Sequence, residues 1–334
     1  ESAQRESQAA RRAEQALATA DAQRRRAEAV ESFIQKDMLD IQGSDEPLRP
    51  DFTVRQMVHN AQRRLDEGAA KISPEFEAAI RNLIGQLFIR TADYAQAERN
   101  LRSSLELLSE RQGTRDSSDY ADVLDALGVA LNYLDRIEES EQTHHQALEI
   151  RERLLAQSPD NPQLLSDLSA SYGNLGGVAA DREDWATAER YFRLALENRT
   201  HEADTANLLI NLGAVIAKRG DVDQGERMLR DGIEQAVTLR GPRSAQEAIG
   251  LSILGEVLIE ARRNQDAIEP LRQALSIRAE IFGPDHRFAI ATRSLLGRAL
   301  LASEPEAGLA ELSAAAQIAH ANLEIADIYR LNAE

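Results

Sequence analysis

Apolar and small residues recur along the chain with a period of about 42 residues. An apolar residue followed by glycine appears six times, at similar intervals. These glycines are Gly85, Gly128, Gly176, Gly213, Gly255 and Gly297. A repeat of this length is typical of helical arrays, in which each unit packs on the next. The pattern therefore predicts about six similar structural units.

Further small and large positions follow each glycine at fixed offsets in the first five units. The small residues at the first offset are Ala97, Ser140, Ala188, Gly225 and Ala267, and those at the last are Ser104, Ala147, Ala195, Gly232 and Ala274. Between them lie the larger Leu101, His144, Phe192, Leu229 and Leu271. Small residues let two antiparallel helices approach closely, while the large ones fill the seam. Each unit is therefore predicted to be a helix hairpin. The sixth has lost about one residue near residues 304–307.

Breaks in the pattern mark where helices end. Residues 158–162 (Ser-Pro-Asp-Asn-Pro) and 283–285 (Gly-Pro-Asp) are strong stop signals after the second helix of a hairpin. Helix and turn alternate without a convincing strand, so the predicted fold class is all-α.

The N-terminal part of the chain follows a different pattern. Residues 1–42 are rich in Ala, Glu, Gln and Arg and carry an apolar residue every seven positions, at Ala13, Ala20, Ala27, Ile34 and Ile41. This seam predicts a helical stalk, a candidate coiled coil for self-association. Residues 43–73 are predicted to hold a linker and a capping helix that starts after Thr53. Its apolar face comprises Val54, Met57, Val58, Ala61 and Leu65.

The spacing of Leu, Gly, Ala, aromatic and Ala resembles the tetratricopeptide repeat (TPR) family, in the 42-residue variety of kinesin light chains. Residues 273–278 and 282–286 resemble that variety's linker motif, although Arg287 stands where the family usually has proline. The resemblance covers about residues 74–316. It implies a right-handed α–α superhelix, with about six hairpins and a C-terminal capping helix in residues 74–334.

A second resemblance covers about residues 25–110. Residues 27–39, 52–58 and 75–81 are similar to the region after the kinase domain and membrane helix of bacterial serine/threonine protein kinases with TPR arrays. The kinase's own catalytic motifs are not in this sequence. The resemblance implies the non-catalytic sensor or scaffold part of a membrane-anchored protein, on the cytoplasmic or periplasmic side. The chain begins at Glu1 without Met and is interpreted as a piece of something longer.

Charge and composition limit the kinds of partner and site that the chain could have. The formal net charge is −17, from 39 basic and 56 acidic residues, which argues against nucleic-acid binding and favours a neutral or basic partner. The sequence contains no cysteine, which excludes disulfides, thiolate zinc sites and a cysteine nucleophile. No apolar run reaches the roughly 18 residues of a membrane span.

Candidate catalytic and metal sites all have simpler interpretations. His144 and His145 are adjacent and point about 100° apart on a helix, so a packed His144 and a solvated His145 are favoured over a metal site. Residues 221–226 resemble the start of a calcium loop but lack its later ligands. Residues 173–177 are glycine-rich but lie within a predicted helix, which argues against a phosphate loop. No enzyme activity, metal or cofactor is predicted.

The best functional signal lies on the first helix of each hairpin, which lines the concave face in TPR arrays. Mapping the family's face-lining positions onto this sequence gives Asn82, Gln86, Asp125, Asn132, Tyr133, Asn174, Asn207, Asn211, Lys218, Ser252, Glu256 and Arg298. Asparagine amides both donate and accept hydrogen bonds, so a row of them can pair with the main chain of an extended peptide. The alternative is that Asn174 and Asn211 cap or bridge neighbouring helices.

The charged clamp with which chaperone-binding TPR proteins hold a C-terminal carboxylate is absent. The positions around Asn211 that would carry its basic residues hold Gly173, Gly177, Ile249 and Ile253. The predicted function is therefore a non-catalytic module that binds a peptide or partner protein. The alternatives are a self-association scaffold and the TPR region of a regulatory ATPase or transcription regulator.

Overall fold

The computed structural model describes residue 24 and residues 54–68, 72–110, 114–200 and 202–331. Within these ranges the chain forms thirteen α-helices and one short 3₁₀ helix, Thr114–Asp116, and no strand. The predicted all-α class is confirmed. Apart from residue 24, the predicted stalk and the linker up to residue 53 lie outside the described residues.

The helices fall into two compact units. The first unit, which ends at Pro159, contains α1 (Val54–Asp66), α2 (Pro74–Arg90), α3 (Tyr94–Ser109), α4 (Ser118–Tyr133) and α5 (Ile137–Gln157). The second unit, which starts at Asp160, contains α6 (Pro162–Asp181), α7 (Trp185–Asn198), α8 (Glu202–Lys218), α9 (Val222–Arg240), α10 (Ala245–Glu260), α11 (Asn264–Phe282), α12 (Arg287–Leu300) and α13 (Pro305–Leu331).

Consecutive helices pack in pairs, which we number as hairpins 1 to 6, from α2/α3 to α12/α13. The residues in which the sequence predicts a C-terminal capping helix belong to α13, which continues to Leu331. None of the helices in the described ranges is both long and apolar enough to cross a lipid bilayer.

Side chains at the helix ends explain where the helices start. Backbone N–H groups in the first turn donate to the side chains of Ser73, Ser117, Asn161, Asp184, Asp221 and Ser244. Such caps satisfy donors that have no partner within the helix. Within hairpins 1 to 5 the turn is closed by one residue with positive φ, at Ala92, Asp135, Glu183, Gly220 and Arg262.

The repeat glycines mark the closest approach of the paired helices. A Cβ atom at Gly85 would lie 2.6 Å from Cγ of Leu101, the large residue of the same repeat, and the same relation holds in hairpins 2 to 5. In hairpin 6 the partner of Gly297 is Leu312, which lies one position closer to its glycine than the large residue of the other hairpins does. The missing residue therefore shifts the seam of this hairpin by one position without preventing the helices from pairing.

Helix α1 covers one side of hairpin 1. Its residues Val58, Ala61 and Leu65 are almost fully buried and pack in one cluster with Ile84 and Phe88 of α2. These three side chains belong to the apolar face that the sequence predicts for this helix. Full burial of a valine or leucine side chain stabilises a fold by about 1.5–3 kcal/mol.

A repeated glutamate links neighbouring hairpins at three places. Glu98, Glu189 and Glu226 occupy the same position of their repeats, directly after the first small residue that follows the repeat glycine. Each accepts hydrogen bonds from an arginine four residues later and from an arginine in the next hairpin. For Glu226 these are Arg230 Nη2 at 2.7 Å and Arg263 Nη1 at 2.6 Å. Partial burial raises the pKa of the three carboxyl groups, but the arginine hydrogen bonds outweigh burial, so each pKa lies below its ordinary value.

These depressed pKa values predict loss of stability in acid. A carboxyl group whose pKa is lower in the folded than in the unfolded state stabilises the fold fully above its unfolded pKa, here near 4.5. This contribution is lost as the pH falls through the folded-state pKa. We therefore expect the urea midpoint of unfolding, followed by circular dichroism, to be constant down to about pH 5 and to fall below pH 4.5.

A triple variant tests whether these three groups are responsible. Changing Glu98, Glu189 and Glu226 to Gln should lower the midpoint at pH 7 and flatten its fall in acid. The control changes three exposed glutamates, Glu138, Glu197 and Glu306, and should keep the steep fall. An equally steep fall in both variants would show that other groups control acid unfolding.

Hairpin 2 encloses a buried charged cluster of Asp125, His144 and Arg151. Asp125 Oδ1 lies 2.7 Å from His144 Nδ1, and Arg151 Nη1 donates to Asp125 Oδ2. The Nδ1 atom must carry the proton in this contact, since a carboxylate only accepts. Burial raises the pKa of Asp125, but the His144 hydrogen bond and the Arg151 charge outweigh it, so the pKa is lowered. Arg151 Nη2 also donates to Asp122 at 2.7 Å.

This cluster corrects one sequence-based assignment and confirms another. The prediction that Asp125 lines the concave face is wrong, because its carboxylate is buried in hairpin 2, where it accepts hydrogen bonds from Arg151 and His144. His144 is packed inside the hairpin, as predicted. His145, predicted to be solvated, is half-buried.

Candidate peptide-binding face

The second unit presents asparagine amides on neighbouring first helices. Asn174 on α6 is half-buried and Asn211 on α8 is exposed, and each lies two residues before a repeat glycine. Helix α6 packs against α8, α8 against α10, and α10 against α12. The two amides therefore occupy equivalent positions on adjacent helices. We call the surface formed by Asn174, Asn207 and Asn211 the asparagine face.

Asn207 extends the asparagine face by one helical turn. It is exposed and lies four residues before Asn211 on α8, so the two side chains share one side of the helix. Among the described residues, none of the three asparagine side chains makes a hydrogen bond. They neither cap nor bridge the described helices, which argues against the alternative interpretation of Asn174 and Asn211.

Helices α10 and α12 follow α8 in this series of packed first helices and carry a mixture of groups. Ile249 on α10 is 42% exposed, Glu256 is half-buried, and Arg298 on α12 is exposed. Ser252, which the sequence also predicts to line the concave face, is only 5% exposed. Its Oγ accepts a hydrogen bond from Arg278 at 3.3 Å. Ser252 therefore contributes no exposed group.

An ion pair joins the C-terminal ends of α8 and α10. Lys218 Nζ pairs with a carboxylate oxygen of Glu260, and it also lies 5.9 Å from the centre of the Trp185 ring. Lys218, predicted from the sequence to line the concave face, is thus an exposed side chain that pairs with Glu260 on the next first helix. This contact fixes the charge of Lys218 near Glu260.

The first unit holds the remaining predicted positions. Asn82 is nearly buried and accepts a hydrogen bond at 3.1 Å from the exposed Gln86, one turn later on α2. Asn132 is half-buried, whereas Tyr133 is 55% exposed. The Tyr133 ring stacks on that of Tyr94, with 4.5 Å between the ring centres and 6° between the planes. Gln86 and Tyr133 are the exposed groups among these four.

Two open depressions of about 560 Å³ lie elsewhere in the second unit. One lies along α9, α10 and α11 and is lined by Arg230, Ile233, Glu234, Leu251, Leu254, Arg263, Asp266, Glu269, Pro270 and Gln273. The other, along α8 and α9, is lined by Arg199, Thr205, Leu209, Asp231, Glu234, Gln235, Thr238 and Leu239. The asparagines contribute to neither.

Sequence reasoning missed two aromatic or cationic groups near these surfaces. Tyr94 is not among the positions predicted to line the concave face, although its ring stacks on that of Tyr133. Arg278 was assigned only to the linker motif, yet it bonds Ser252. The spacing could have revealed this bond, since Arg278 follows Ser252 by 26 residues and Arg151 follows Asp125 by the same number.

Comparisons with solved structures agree with this architecture. BtubC (BKLC) from P. vanneervenii shares 21% identity, covers 70% of this chain and 94% of its own, and gives a TM-score of 0.53. The apo form of RapI shares 15% identity over 76% of this chain and 87% of its own, with a TM-score of 0.56. NprR, in complex with its cognate peptide NprX, shares 13% identity over 92% and 80%, with a TM-score of 0.55. Likeness at these identities concerns the fold alone.

The sequence itself matches a known repeat family. The tetratricopeptide repeat pattern matches residues 76–160 and 204–280, which lie in hairpins 1 and 2 and in hairpins 4 and 5. Among the curated proteins compared, none matches the chain. The helix hairpins and the matched residues together show tetratricopeptide repeats in hairpins 1, 2, 4 and 5.

Proposed function

We propose that this chain is a non-catalytic protein-interaction module that binds an extended peptide, or an extended segment of a partner protein, on the asparagine face. The observation that carries the proposal is the set of unbonded amides of Asn174, Asn207 and Asn211 on adjacent first helices. Each amide offers two donors and one acceptor. An extended backbone presents donors and acceptors at regular spacing, so it matches such a row without regard to its side chains.

Charge indicates what kind of segment binds. The chain has a net charge of −17, and long-range electrostatic attraction favours partners that are neutral or basic overall. Steering of this kind raises the association rate more than the final affinity, so added salt should slow association.

The structural neighbours support a binding role without defining the ligand. NprR, which shares this fold, was solved with a peptide, NprX. Because a fold hosts many functions, the proposal rests on the amides of this chain and not on the neighbour.

A substitution at two amides tests the proposal. Peptides selected from a random display library on the intact chain serve as probes, and their affinity is measured by fluorescence anisotropy. We expect Asn174→Ala with Asn211→Ala to weaken binding at least tenfold, because each lost hydrogen bond contributes about 1 kcal/mol.

The matched control changes two polar residues away from this face, Asn264 and Gln265 on α11, to alanine. This variant should bind the probe as tightly as the unaltered chain. Unchanged affinity in the Asn174/Asn211 variant, with its circular dichroism spectrum preserved, would remove the asparagine face from the binding site.

We also propose that the array is the sensor or scaffold part of a bacterial serine/threonine protein kinase. The support is the resemblance of residues 25–110 to the region that follows the kinase domain in such proteins. Sequencing the DNA upstream of residue 1 tests this. A glycine-rich phosphate loop and a His-Arg-Asp catalytic loop would support the proposal, and a Walker motif in their place would indicate a regulatory ATPase instead.

Self-association is the second candidate function. The seven-residue apolar seam of residues 1–42 supports it, since such seams form coiled coils. Light scattering distinguishes self-association from a binding module that stays a single chain. A mass that rises with concentration, and that returns to one chain when residues 1–42 are removed, would support a scaffold.

A further inference from the structure

Two arginines of this chain lie at the same position of their repeats but in different electrostatic surroundings. Arg151 in hairpin 2 and Arg278 in hairpin 5 follow their repeat glycines at the same distance along the chain. In hairpin 2, Arg151 Nη1 donates to Asp125 and Nη2 donates to Asp122. The guanidinium charge of Arg151 is thus balanced by two carboxylates of its own hairpin.

Hairpin 5 has lost both carboxylates. Ser252 stands at the position of Asp125, and Ile249 stands at the position of Asp122. Arg278 Nη1 donates to Ser252 Oγ at 3.3 Å, to the Phe288 carbonyl oxygen at 3.1 Å and to Thr292 Oγ1 at 2.5 Å. All three acceptors are uncharged. Within the described ranges no carboxylate bonds Arg278, and Nη2 makes no hydrogen bond.

The pKa directions reflect this difference. For Arg278, burial is the cause acting and it lowers the pKa. For Arg151, burial also lowers the pKa, but the charges and hydrogen bonds of Asp125 and Asp122 outweigh it and raise the pKa overall. A partly buried cation without a counter-ion favours any anion that can reach it.

A cluster of aromatic rings lies beside Arg278 at the surface. Phe282 stacks on His286 with 5.0 Å between ring centres, and Phe288 lies 5.7 Å from Phe282. Phe282 is 40% exposed and Phe288 is 41% exposed. The guanidinium carbon of Arg278 lies 5.6 Å from the centre of the Phe288 ring. The surface therefore combines a charged donor with exposed faces for an apolar or aromatic group.

We propose that Arg278, with Phe282, His286 and Phe288, binds a carboxylate of a peptide or protein ligand. The ligand carboxylate accepts a hydrogen bond from Arg278 Nη2, as Asp122 does from Arg151. This inference goes beyond the proposed function, because the site would exist even if the asparagine face bound nothing.

Two observations define the chemistry of the ligand. Carboxylate is favoured because the arginine at the equivalent repeat position in hairpin 2 holds two carboxylates. An aromatic or apolar side chain beside the carboxylate would cover the exposed rings of Phe282 and Phe288. A single carboxylate within a neutral or basic segment satisfies both this site and the negative charge of the chain.

Small peptide probes test the site on the full chain. The probes are N-acetyl-Asp-Phe-amide, with a side-chain carboxylate, and N-acetyl-Phe, with an α-carboxylate. The uncharged N-acetyl-Asn-Phe-amide serves as reference, and affinities come from saturation-transfer NMR titrations. We expect at least one carboxylate probe to bind at least tenfold more tightly than the reference. Which of the two binds identifies the source of the carboxylate.

Variants connect the binding to Arg278. Arg278→Gln should weaken the carboxylate probe at least tenfold, whereas the control Arg272→Gln, an exposed arginine on the same helix, should leave its affinity unchanged. Ile249→Asp restores the carboxylate position of hairpin 2. It should therefore occupy the Arg278 donors and weaken the probe by a similar factor.

Several outcomes would overturn the proposal. They are equal binding of the uncharged reference, unchanged probe affinity in Arg278→Gln with a preserved circular dichroism spectrum, and unchanged probe affinity in Ile249→Asp. The Asn174→Ala with Asn211→Ala variant separates the two proposals, because it should keep the probe affinity while it loses the peptides selected for the asparagine face.

Discussion

Gly213→Ala is expected to destabilise the second unit by about 3 kcal/mol, because the added methyl group would collide with backbone atoms. A Cβ atom at Gly213 would lie 2.8 Å from the Gly225 carbonyl oxygen and 2.9 Å from the Leu229 nitrogen. Backbone atoms within a helix cannot move aside as the end of a side chain can, so α8 and α9 must separate. The loss should appear as a lower urea midpoint by circular dichroism.

Gly177 on α6 provides the matched control. A Cβ atom there would meet nothing within 4 Å, and the residue lies inside a helix. Gly177→Ala should therefore stabilise the protein by about 1 kcal/mol, the difference in helix propensity between glycine and alanine. Similar effects of the two substitutions would contradict the close approach of α8 and α9.

Asp125→Ala is expected to cost about 3–5 kcal/mol, because it leaves a buried arginine without its main counter-ion. Arg151 would keep Asp122, whose side chain is 45% exposed, and His144 would lose the carboxylate that its Nδ1 contacts. Asp122→Ala, the control on the exposed side, should cost no more than about 1 kcal/mol. Urea unfolding at pH 7 measures both values.

A second substitution tests the electrostatic origin of this loss. Adding Arg151→Met to Asp125→Ala removes the unpaired charge, so the double variant should be more stable than Asp125→Ala alone. If the double variant were less stable than the single one, the loss would come from packing and not from an unpaired charge.

Much of the fold could be predicted from the spacing of small and large residues. The contact between Gly85 and Leu101 follows from the fixed offset between the repeat glycine and the large residue, because the helices of a hairpin have similar lengths and a common seam. The seam of hairpin 6, shifted to Leu312, could be predicted only as a missing residue. The turns within the hairpins were harder to predict, because Ala92 and Arg262, and not glycines, have the positive φ in two of them.

The candidate site was less predictable, because exposure depends on partners that are distant in sequence. Asp125 and Ser252 occupy the same position of their repeats, one predicted to line the concave face. Both are buried instead, and each accepts a hydrogen bond from an arginine 26 residues later. Asn211 lies one residue later in its repeat, and its side chain is exposed and makes no hydrogen bond among the described residues. Pattern positions therefore place a side chain on a helix face, and long-range polar partners decide whether it is available.

The most direct test of the peptide-binding proposal combines the asparagine substitutions with changes in the ligand backbone. A selected peptide and its analogues, each N-methylated at one backbone amide, are titrated against the unaltered chain and the Asn174→Ala with Asn211→Ala variant. We predict that methylation at one or more amides weakens binding to the unaltered chain at least tenfold and has little further effect on the variant. If every methylated peptide lost the same affinity for both proteins, the asparagine amides would not contact the peptide backbone, contrary to the proposal.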